Sequence, residues 1–375
     1  MHRITTGMLA LGCVAAATSA HAAPQVAIED LRINQIQVIG THNSYHAGIA
    51  PSEMQLMEKN NPDLAKAFDY RHSPLSVQLS AGIRQIELDI YADTQGGHFA
   101  HPLGPGLVAK AGLPPDPDFD PNHLLDKPGF KVIHVQDFDY RSNCQPFTAC
   151  LAEVRRWSQA HPRHLPIFIL IETKETPLKL DILTAPPEPF TSAVFDALDK
   201  EILSVFPHKE IVTPDQVRGK RKSLAEAVAH GGWPTLKQAR GKVVFLMDQK
   251  KVGPIYLDGH PALKGRLVFT NADPGAPDAA FVEHNENTPE EINALVRQGY
   301  LIRTRADENT REARLNDTHR RDEVLSSGAQ LVSTDYPWNE RAETGYEVAL
   351  PGRAAARCNP ILVPAGCVIE GLAPD

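Results

Sequence analysis

Residues 166–172 read Pro-Ile-Phe-Ile-Leu-Ile-Glu and contain the apolar run that decides the fold. Five large apolar side chains follow one another from Ile167 to Ile171 with no polar residue between them. Such a run is typical of a parallel strand covered on both faces, because an exposed face would carry polar residues at alternate positions. The run ends at Glu172, so an acid stands where a buried strand meets its following loop.

Short apolar runs of this kind recur along the chain and alternate with helical segments. The other predicted strands are Ile36–Gly40, Ile83–Ile90, Lys131–Val135, Val243–Met247, Leu267–Thr270, Leu301–Thr304 and Gln330–Ser333. Helices between them carry start signals such as the capping box Thr288-Pro289-Glu290-Glu291. Eight strands alternating with helices predict an α/β fold, a (β/α)8 TIM-type barrel in one domain over residues 23–375. A doubly wound open sheet is the alternative, but no glycine-rich phosphate loop follows a predicted strand.

The first 22 residues have the layout of a secretory signal peptide. His2 and Arg3 form a short basic start, and an apolar run extends from Met8 to Ala17. Ala20-His21-Ala22 then fits the small-x-small pattern of a cleavage site. Cleavage after Ala22 predicts a mature chain that is secreted or periplasmic.

The four cysteines beyond the signal peptide form two close pairs in sequence, Cys144 with Cys150 and Cys358 with Cys367. An exported protein meets an oxidising compartment, so two local disulfides are predicted. Buried free thiols are the alternative. A zinc site is disfavoured because neither pair has CxxC spacing.

The charge of the chain limits its partners. The sequence has 38 basic and 46 acidic residues and a formal net charge of −8. An acidic protein of this kind is not suited to binding nucleic acid or to adhering to strongly anionic membranes. A polyanionic head group would therefore be recognised only by a local basic pocket.

Carboxylates gather towards the ends of the predicted strands. Glu87 and Asp89 are two positions apart in the second strand, so both lie on the face that points into a barrel. Two buried like charges are unfavourable unless a cation neutralises them. With Glu172 and Asn43 they form an all-oxygen ligand set, which selects a hard cation, Ca²⁺ or Mg²⁺. The alternatives are carboxylates on an exposed edge strand and a simple ion pair between Glu172 and Lys174.

Two histidines stand beside these oxygen ligands. His42 precedes Asn43 at the end of the first strand, and His134 ends the apolar part of the third. Because the ligand set needs no nitrogen, both imidazoles remain free for proton transfer. Cleavage of a phosphodiester requires a cation to neutralise the phosphate and a proton for the leaving oxygen, and this set supplies both.

Together these motifs resemble the Ca²⁺-dependent phosphoinositide-specific phospholipase C family of the PLC-like phosphodiesterase superfamily. The resemblance rests on Thr41-His42-Asn43-Ser44-Tyr45-His46, Ile86-Glu87-Leu88-Asp89, Lys131–Arg141, Ile169-Leu170-Ile171-Glu172, Arg303-Thr304-Arg305-Ala306-Asp307 and Ser333-Thr334-Asp335-Tyr336-Pro337. It implies a TIM-type barrel, with general acid and base roles for His42 and His134. It also implies that the cation is Ca²⁺ rather than Mg²⁺ and that its ligands are Asn43, Glu87, Asp89 and Glu172.

The chain departs from the eukaryotic members of that family in one place. Their second histidine follows the Glu-x-Asp strand closely, whereas a long loop separates Asp89 from His134 here. His98 and His101 lie in that loop and are rivals for the same role. We favour His134 because it follows an apolar strand and precedes a helix in the expected order.

Three basic residues are predicted to bind substrate. Arg303 and Arg305 share one face of the seventh strand and can grip a phosphate, and Lys174 shares the face of Glu172. Ion pairs with Asp307, Glu308 or Asp335 are the alternative for the arginines.

The predicted function is a phospholipase C that cleaves a phosphoinositide through attack by the inositol 2-hydroxyl. A glycerophosphodiester phosphodiesterase and a non-catalytic barrel that binds lipid head groups or sugars are the alternatives. The expected partner is a phospholipid or soluble phosphodiester, met during transient contact with a membrane surface if it is a lipid. Neither nucleic acid nor a protein partner is indicated.

Overall fold

Eight parallel strands form a nearly closed barrel in the computed structural model, which describes residues 27–176, 185–286 and 288–363. The strands in chain order are β1 (Ile36–Thr41), β2 (Gln85–Tyr91), β3 (Lys131–Val132), β4 (Ile167–Thr173), β5 (Val243–Met247), β6 (Val268–Phe269), β7 (Phe281–Glu283), β8 (Leu301–Arg305), β9 (Leu331–Thr334) and β10 (Arg357–Cys358). The barrel strands neighbour one another in the order β6-β5-β4-β2-β1-β9-β8-β7. A bridge between Asn271 and Phe281 joins the two ends of this order. The predicted TIM-type barrel is confirmed.

The predicted third barrel strand is wrong. Lys131–Val135 contributes only the two residues of β3, which pair antiparallel with the end of β2 and lie outside the barrel. The chain then turns back on itself through a tight bridge between Val135 and Asp139. The missing barrel strand is β7, whose three residues are too short to stand out as an apolar run. The two errors cancelled, so the predicted number of eight strands was right although one member was not.

Helices cover the barrel and connect its strands. They are α1 (Pro51–Asn60), α2 (Pro62–Ala67), α3 (Leu75–Ser80), α4 (Leu103–Lys110), α5 (Phe147–Ala160), α6 (Ser192–Val205), α7 (Pro214–Arg218), α8 (Leu224–Ala229), α9 (Leu236–Ala239), α10 (Gly253–Tyr256), α11 (Pro289–Arg297), α12 (Arg311–Leu315) and α13 (His319–Ser327). Short 3-10 turns occur at Ile28–Asp30, Ile33–Gln35, His208–Glu210, Lys250–Val252, Pro261–Leu263 and Pro351–Arg353. The predicted capping box begins α11, because the Thr288 hydroxyl accepts a hydrogen bond from the backbone N–H of Glu291. Among the described residues, no helix has both the length and the apolar character needed to cross a bilayer.

The strand registers decide which polar groups meet at the carboxyl ends of the barrel strands. Every residue of β4 is buried except Glu172, which is partly exposed at the end of the strand. In the pairing of β2 with β4, Asp89 lies opposite Glu172. On the other side of β2, the turn that follows β1 is tied to Glu87, because the Ser44 backbone N–H donates to its carbonyl. The site therefore forms at this end of the barrel.

The predicted disulfide between Cys144 and Cys150 is confirmed. The bond joins Cys144, which precedes α5, to Cys150 in the first turns of that helix. The Cys150 side chain is fully buried. For Cys358, which lies in β10, the predicted partner Cys367 is outside the described residues, so that pairing stays a prediction. The signal peptide at residues 1–22 also lies outside them.

The Cys144–Cys150 bond is expected to stabilise the folded chain by about 2 kcal/mol, the loop-closure entropy for a loop of this size. The double variant Cys144→Ala/Cys150→Ala should lose that free energy of unfolding in a urea titration. A further loss when the double variant is reduced would report the second disulfide. An unchanged free energy of unfolding in the double variant would contradict the expectation.

Candidate active site and cation site

Three carboxylates meet at the carboxyl ends of β2 and β4. Oxygen atoms of Glu87, Asp89 and Glu172 all lie within 4.8 Å of one another. Glu87 and Asp89 are buried, and the prediction that both point into the barrel is consistent with their place on alternate residues of a fully buried strand. Such a cluster is the oxygen-rich arrangement that a hard divalent cation requires.

Two oxygen atoms of the predicted ligand set are buried and accept no hydrogen bond from any described residue. They are Oδ1 of Asp89 and Oδ1 of Asn43. Asn43 has a left-handed backbone, with φ 47°, which asparagine tolerates better than most residues. Its side-chain nitrogen donates to the Tyr70 hydroxyl at 2.7 Å, which fixes the amide so that Oδ1 is left as an acceptor. Buried oxygens are rarely left without partners, so the residues of the predicted ligand set fit a bound cation.

Two basic side chains reach the same carboxylates. The Lys174 ammonium donates to Asp89 at 3.1 Å and to Glu172 at 3.0 Å. The buried Arg303 guanidinium donates to Glu87 at 2.5 Å and to Glu283 at 2.7 Å. Arg303 is therefore paired with carboxylates of the barrel interior, and these are not the acids that the sequence offered as its alternative partners.

Burial and mutual repulsion control the charge of the cluster. Burial raises the pKa of Glu87 to about 7, although Arg303 acts in the opposite direction. Burial and the neighbouring Glu172 also raise the pKa of Asp89 well above its usual value. Burial is the largest effect on Glu172 and would raise its pKa too, but the charge of Lys174 and the hydrogen bonds from Asp89 and Lys174 together outweigh it and leave that pKa at about 2. A divalent cation would favour the ionised form of all three carboxylates.

His42 lies on the Glu87 side of the cluster. Its Nδ1 is 2.8 Å from Asp335, its Nε2 is 3.7 Å from Glu87, and Arg305 donates to Nε2 at 3.3 Å. A guanidinium can only donate, so Nε2 carries the lone pair and Nδ1 carries the proton. Burial and then the charge of Arg305 lower the pKa of His42 to about 3, against the opposite effect of Asp335. The imidazole is thus held neutral with its basic nitrogen free of a proton.

His134 lies near Glu172 and Lys174. Its charge contributes to the low pKa of Glu172, and Lys174 in turn contributes to the lowered pKa of His134. Nδ1 of His134 donates to the buried Asp139 at 2.7 Å. Burial lowers the pKa of His134, and the hydrogen bond to Asp139 opposes that effect. Asp139 also accepts from His46, at 2.7 and 2.8 Å.

The rival histidines of the long loop are directed elsewhere. His98 donates to the carbonyl oxygen of Pro186 at 2.6 Å, and its backbone N–H donates to Asp93. His101 is exposed at the surface of the loop, shortly before α4. Of the three histidines weighed for the second role, His134 is the one that the structure brings to the carboxylates.

Sequence reasoning assigned no role to Asp139 or His46, and it considered Asp335 only as an ion-pair partner of the arginines, which it is for Arg305. Asp335 follows β9 and holds both His42 and Arg305. Its Ser-Thr-Asp-Tyr-Pro motif was part of the family resemblance, but the motif alone does not reveal its partners. Asp139 follows His134 by five residues, and only the tight turn between Val135 and Asp139 brings the two side chains together. A separation of five residues in a loop does not in general indicate that two side chains are in contact.

Comparison with known proteins identifies the family of the chain. The model of the family "Phosphoinositide phospholipase C, Ca2+-dependent" matches residues 31–360. The calcium-dependent phosphoinositol-specific phospholipase C of a Pseudomonas sp., in its apo form with myoinositol, is 15% identical, with a TM-score of 0.53 over 88% of this chain and 96% of that one. A Ca²⁺-dependent phosphatidylinositol-specific phospholipase C from Streptomyces antibioticus is 17% identical, with a TM-score of 0.48 over 81% of this chain and 95% of that one.

At these identities the Pseudomonas structure supports the barrel fold and no finer conclusion. A search of curated protein sequences gave no match. The family model, in contrast, matches most of the chain, and the matched range contains the positions of both histidines and all four predicted ligands. The protein therefore belongs to the Ca²⁺-dependent phosphoinositide phospholipase C family, whose members are phosphoric diester hydrolases.

Proposed function

We propose that the mature chain is an exported phospholipase C that cleaves a phosphoinositide by cyclisation, with Ca²⁺ held by Asn43, Glu87, Asp89 and Glu172. The observation that carries the proposal is the position of His42 beside Glu87 and of His134 near Glu172, so that both imidazoles border the carboxylates. Each imidazole is oriented by its own buried aspartate, Asp335 for one and Asp139 for the other. Two oriented imidazoles beside a cation site are suited to acid–base catalysis, in which one takes a proton from the attacking hydroxyl and the other gives a proton to the leaving oxygen.

His42 is the general base in this proposal. Its Nε2 takes the proton of the inositol 2-hydroxyl, whose oxygen then attacks phosphorus. Asp335 keeps the second ring nitrogen protonated and stabilises the imidazolium that forms, as carboxylates do in other His–Asp pairs. When bound, the cation supplies positive charge to the phosphate oxygens.

His134 is the general acid. The bond between phosphorus and the glycerol oxygen breaks as the Nε2 proton of His134 passes to that oxygen. One P–O bond forms and one breaks, and the products are a cyclic inositol phosphate and diacylglycerol. As the general acid, His134 must be an imidazolium. Burial disfavours this charged form, whereas Asp139 and the negative phosphate of the bound substrate favour it.

Lys174 and Arg305 are the basic residues best placed to contact the phosphate. Both border the carboxylates and the imidazoles, and both are partly accessible, whereas Arg303 is almost fully buried. Their existing acidic partners keep them in place before the substrate binds.

A panel of phosphodiesters tests the proposed substrate class. Phosphatidylinositol should be turned over at least tenfold faster than phosphatidylcholine or glycerophosphoinositol at the same concentration. Preferential cleavage of the glycerophosphodiester would instead favour the glycerophosphodiester phosphodiesterase alternative. Absence of turnover on every member, with Ca²⁺ bound, would favour the non-catalytic barrel.

The proposal includes export, which rests on the first 22 residues. The purified mature chain is expected to begin at Ala23. Its intact mass checks this, and a chain recovered from the cytoplasm with its first residues retained would contradict it.

Removal of the Arg305 charge should shift the pH dependence of catalysis. Burial and Arg305 together hold the pKa of His42 low, so the Arg305→Gln variant should have a higher His42 pKa. More of the base is then protonated at acidic pH, and the acid limb of the kcat/KM profile should move to higher pH. Weaker substrate binding would lower kcat/KM at every pH, so each profile is normalised to its plateau to show the shift of the acid limb alone. An acid limb that stays in place would contradict the assignment of His42 as the base.

A further inference from the structure

His46 is a buried histidine that the proposed reaction does not use. Its side chain is inaccessible to solvent, so it cannot reach a substrate. Nε2 of His46 lies 2.8 Å from one oxygen and 2.7 Å from the other oxygen of Asp139. One of these oxygens, Oδ2, also accepts from Nδ1 of His134 at 2.7 Å. A single carboxylate is thus shared by one imidazole at the site and one behind it.

Hydrogen bonding rather than metal binding explains this trio. Two histidines and an aspartate are a common metal-ligand set, and these three side chains are close enough to one another to be considered as one. The ligands of a tetrahedral zinc ion, however, are spaced at roughly 3.3 Å, given bonds of about 2.0 Å. The nitrogen–oxygen distances here are 2.7–2.8 Å, which are the lengths of charge-assisted hydrogen bonds.

The shared carboxylate depends on His46 for its orientation. Asp139 is fully buried, and burial of an ionised carboxylate is unfavourable unless it is paired. Its backbone is fixed by the bridge to Val135, but the carboxylate can still rotate about its own bond. The N–H of His46 contacts both oxygens and so fixes that rotation, which points Oδ2 at His134.

His46 is itself held firmly from the side of the cation site. Its ring packs on Tyr70 with 4.4 Å between ring centroids, and its backbone N–H donates to the carbonyl of Asn43. The Tyr70 hydroxyl accepts from the Asn43 side chain. A continuous row of contacts therefore joins a proposed cation ligand to the proposed general acid through His46.

We propose that His46 is a positioning residue for His134, because it holds the Asp139 carboxylate so that Nδ1–H of His134 is fixed and Nε2 faces the leaving oxygen. The catalytic consequence of this inference rests on the proposed function. Its structural part, the fixed hydrogen bond from Nδ1–H of His134 to Asp139, does not depend on that function.

The variants His46→Leu and His46→Gln test the inference. Glutamine retains an N–H donor for Asp139, whereas leucine leaves the carboxylate without it. For His46→Leu we expect kcat on phosphatidylinositol to fall by about 10–100-fold, the usual effect of losing such a supporting contact, with KM within about twofold. His46→Gln should retain kcat within about threefold. His164→Leu is the matched control, since His164 is equally buried but contacts Ser158 and Leu165 far along the chain from these residues.

The leaving group distinguishes positioning from a general loss of structure. A nitrophenyl phosphodiester of inositol needs little protonation as it leaves, so the kcat defect of His46→Leu should shrink to within about threefold on that substrate. Equal defects on both substrates, or a loss of kcat in His164→Leu as large as in His46→Leu, would overturn the inference.

Nuclear magnetic resonance of the His134 ring separates this inference from the proposed function. The Nδ1–H proton of His134 should give a slowly exchanging signal in the wild-type protein and in His46→Gln, and lose it in His46→Leu. If the signal depends on His46 but phosphatidylinositol is not cleaved, the proposed function fails and the positioning contact stands. A signal unchanged in His46→Leu would overturn the inference whatever the activity.

Discussion

Replacement of His42 or His134 with alanine is expected to lower kcat on phosphatidylinositol by roughly 10²–10⁴-fold, the usual contribution of general acid–base catalysis. The reason is that each imidazole is held by a buried aspartate next to the carboxylates. Both variants should still fold and bind Ca²⁺, because neither imidazole is a proposed ligand. Steady-state kinetics with circular dichroism and calorimetric Ca²⁺ binding measure all three properties.

The two histidines should also act as a unit. The double variant should lose less activity than the product of the two single losses. An activated leaving group needs little protonation and should restore turnover to His134→Ala but not to His42→Ala. The loop variants His98→Ala and His101→Ala are the controls and should stay near wild type. If His134→Ala is near wild type while a loop variant is inactive, the general acid is wrongly assigned.

Removal of divalent cations is expected to abolish turnover, and Ca²⁺ should restore it better than Mg²⁺ or Zn²⁺. The proposed ligands are all oxygen atoms, two of which are buried without a partner among the described residues. Because Ca²⁺ should bind the folded chain and not the unfolded one, the melting temperature should also rise with the Ca²⁺ concentration. This second readout does not depend on activity.

Asp89 is the ligand whose loss should matter most. Its carboxylate is fully buried beside the other two, so Asp89→Asn should weaken Ca²⁺ binding at least tenfold, as measured by calorimetry. Asp273→Asn is the matched control, since Asp273 is an exposed acid paired with Lys250. Full activity in excess chelator, or Ca²⁺ binding unaffected by Asp89→Asn, would contradict the proposed cation site.

The sequence predicted those parts of the fold that depend on local pattern. The uninterrupted run from Ile167 to Ile171 indicated a strand covered on both faces, and β4 is one. Strand β7 has only three residues, and its place is decided by neighbours on either side of the barrel rather than by its own pattern. Lys131 to Val135 has a strand-like pattern, but only Lys131 and Val132 pair with the sheet, through two residues at the end of β2.

The candidate site divides in the same way. The alternation of Glu87 and Asp89 with apolar residues was enough to predict that the two carboxylates share a face. The pairing of Asp335 with His42 joins residues 293 positions apart, and that of Arg303 with Glu87 joins residues 216 positions apart. Such pairs follow from strand order and register around the barrel, which no local pattern contains.

The most direct test of the central claim is a phosphorus magnetic resonance time course of phosphatidylinositol with the mature protein and Ca²⁺. Attack by the inositol 2-hydroxyl predicts that a cyclic inositol phosphate is the first phosphorus product and that it forms together with one equivalent of diacylglycerol. The signal should be absent from His42→Ala over the same period and from the wild-type protein in excess chelator. Phosphatidic acid as the product, or diacylglycerol release with no cyclic phosphate at any time, would contradict the account.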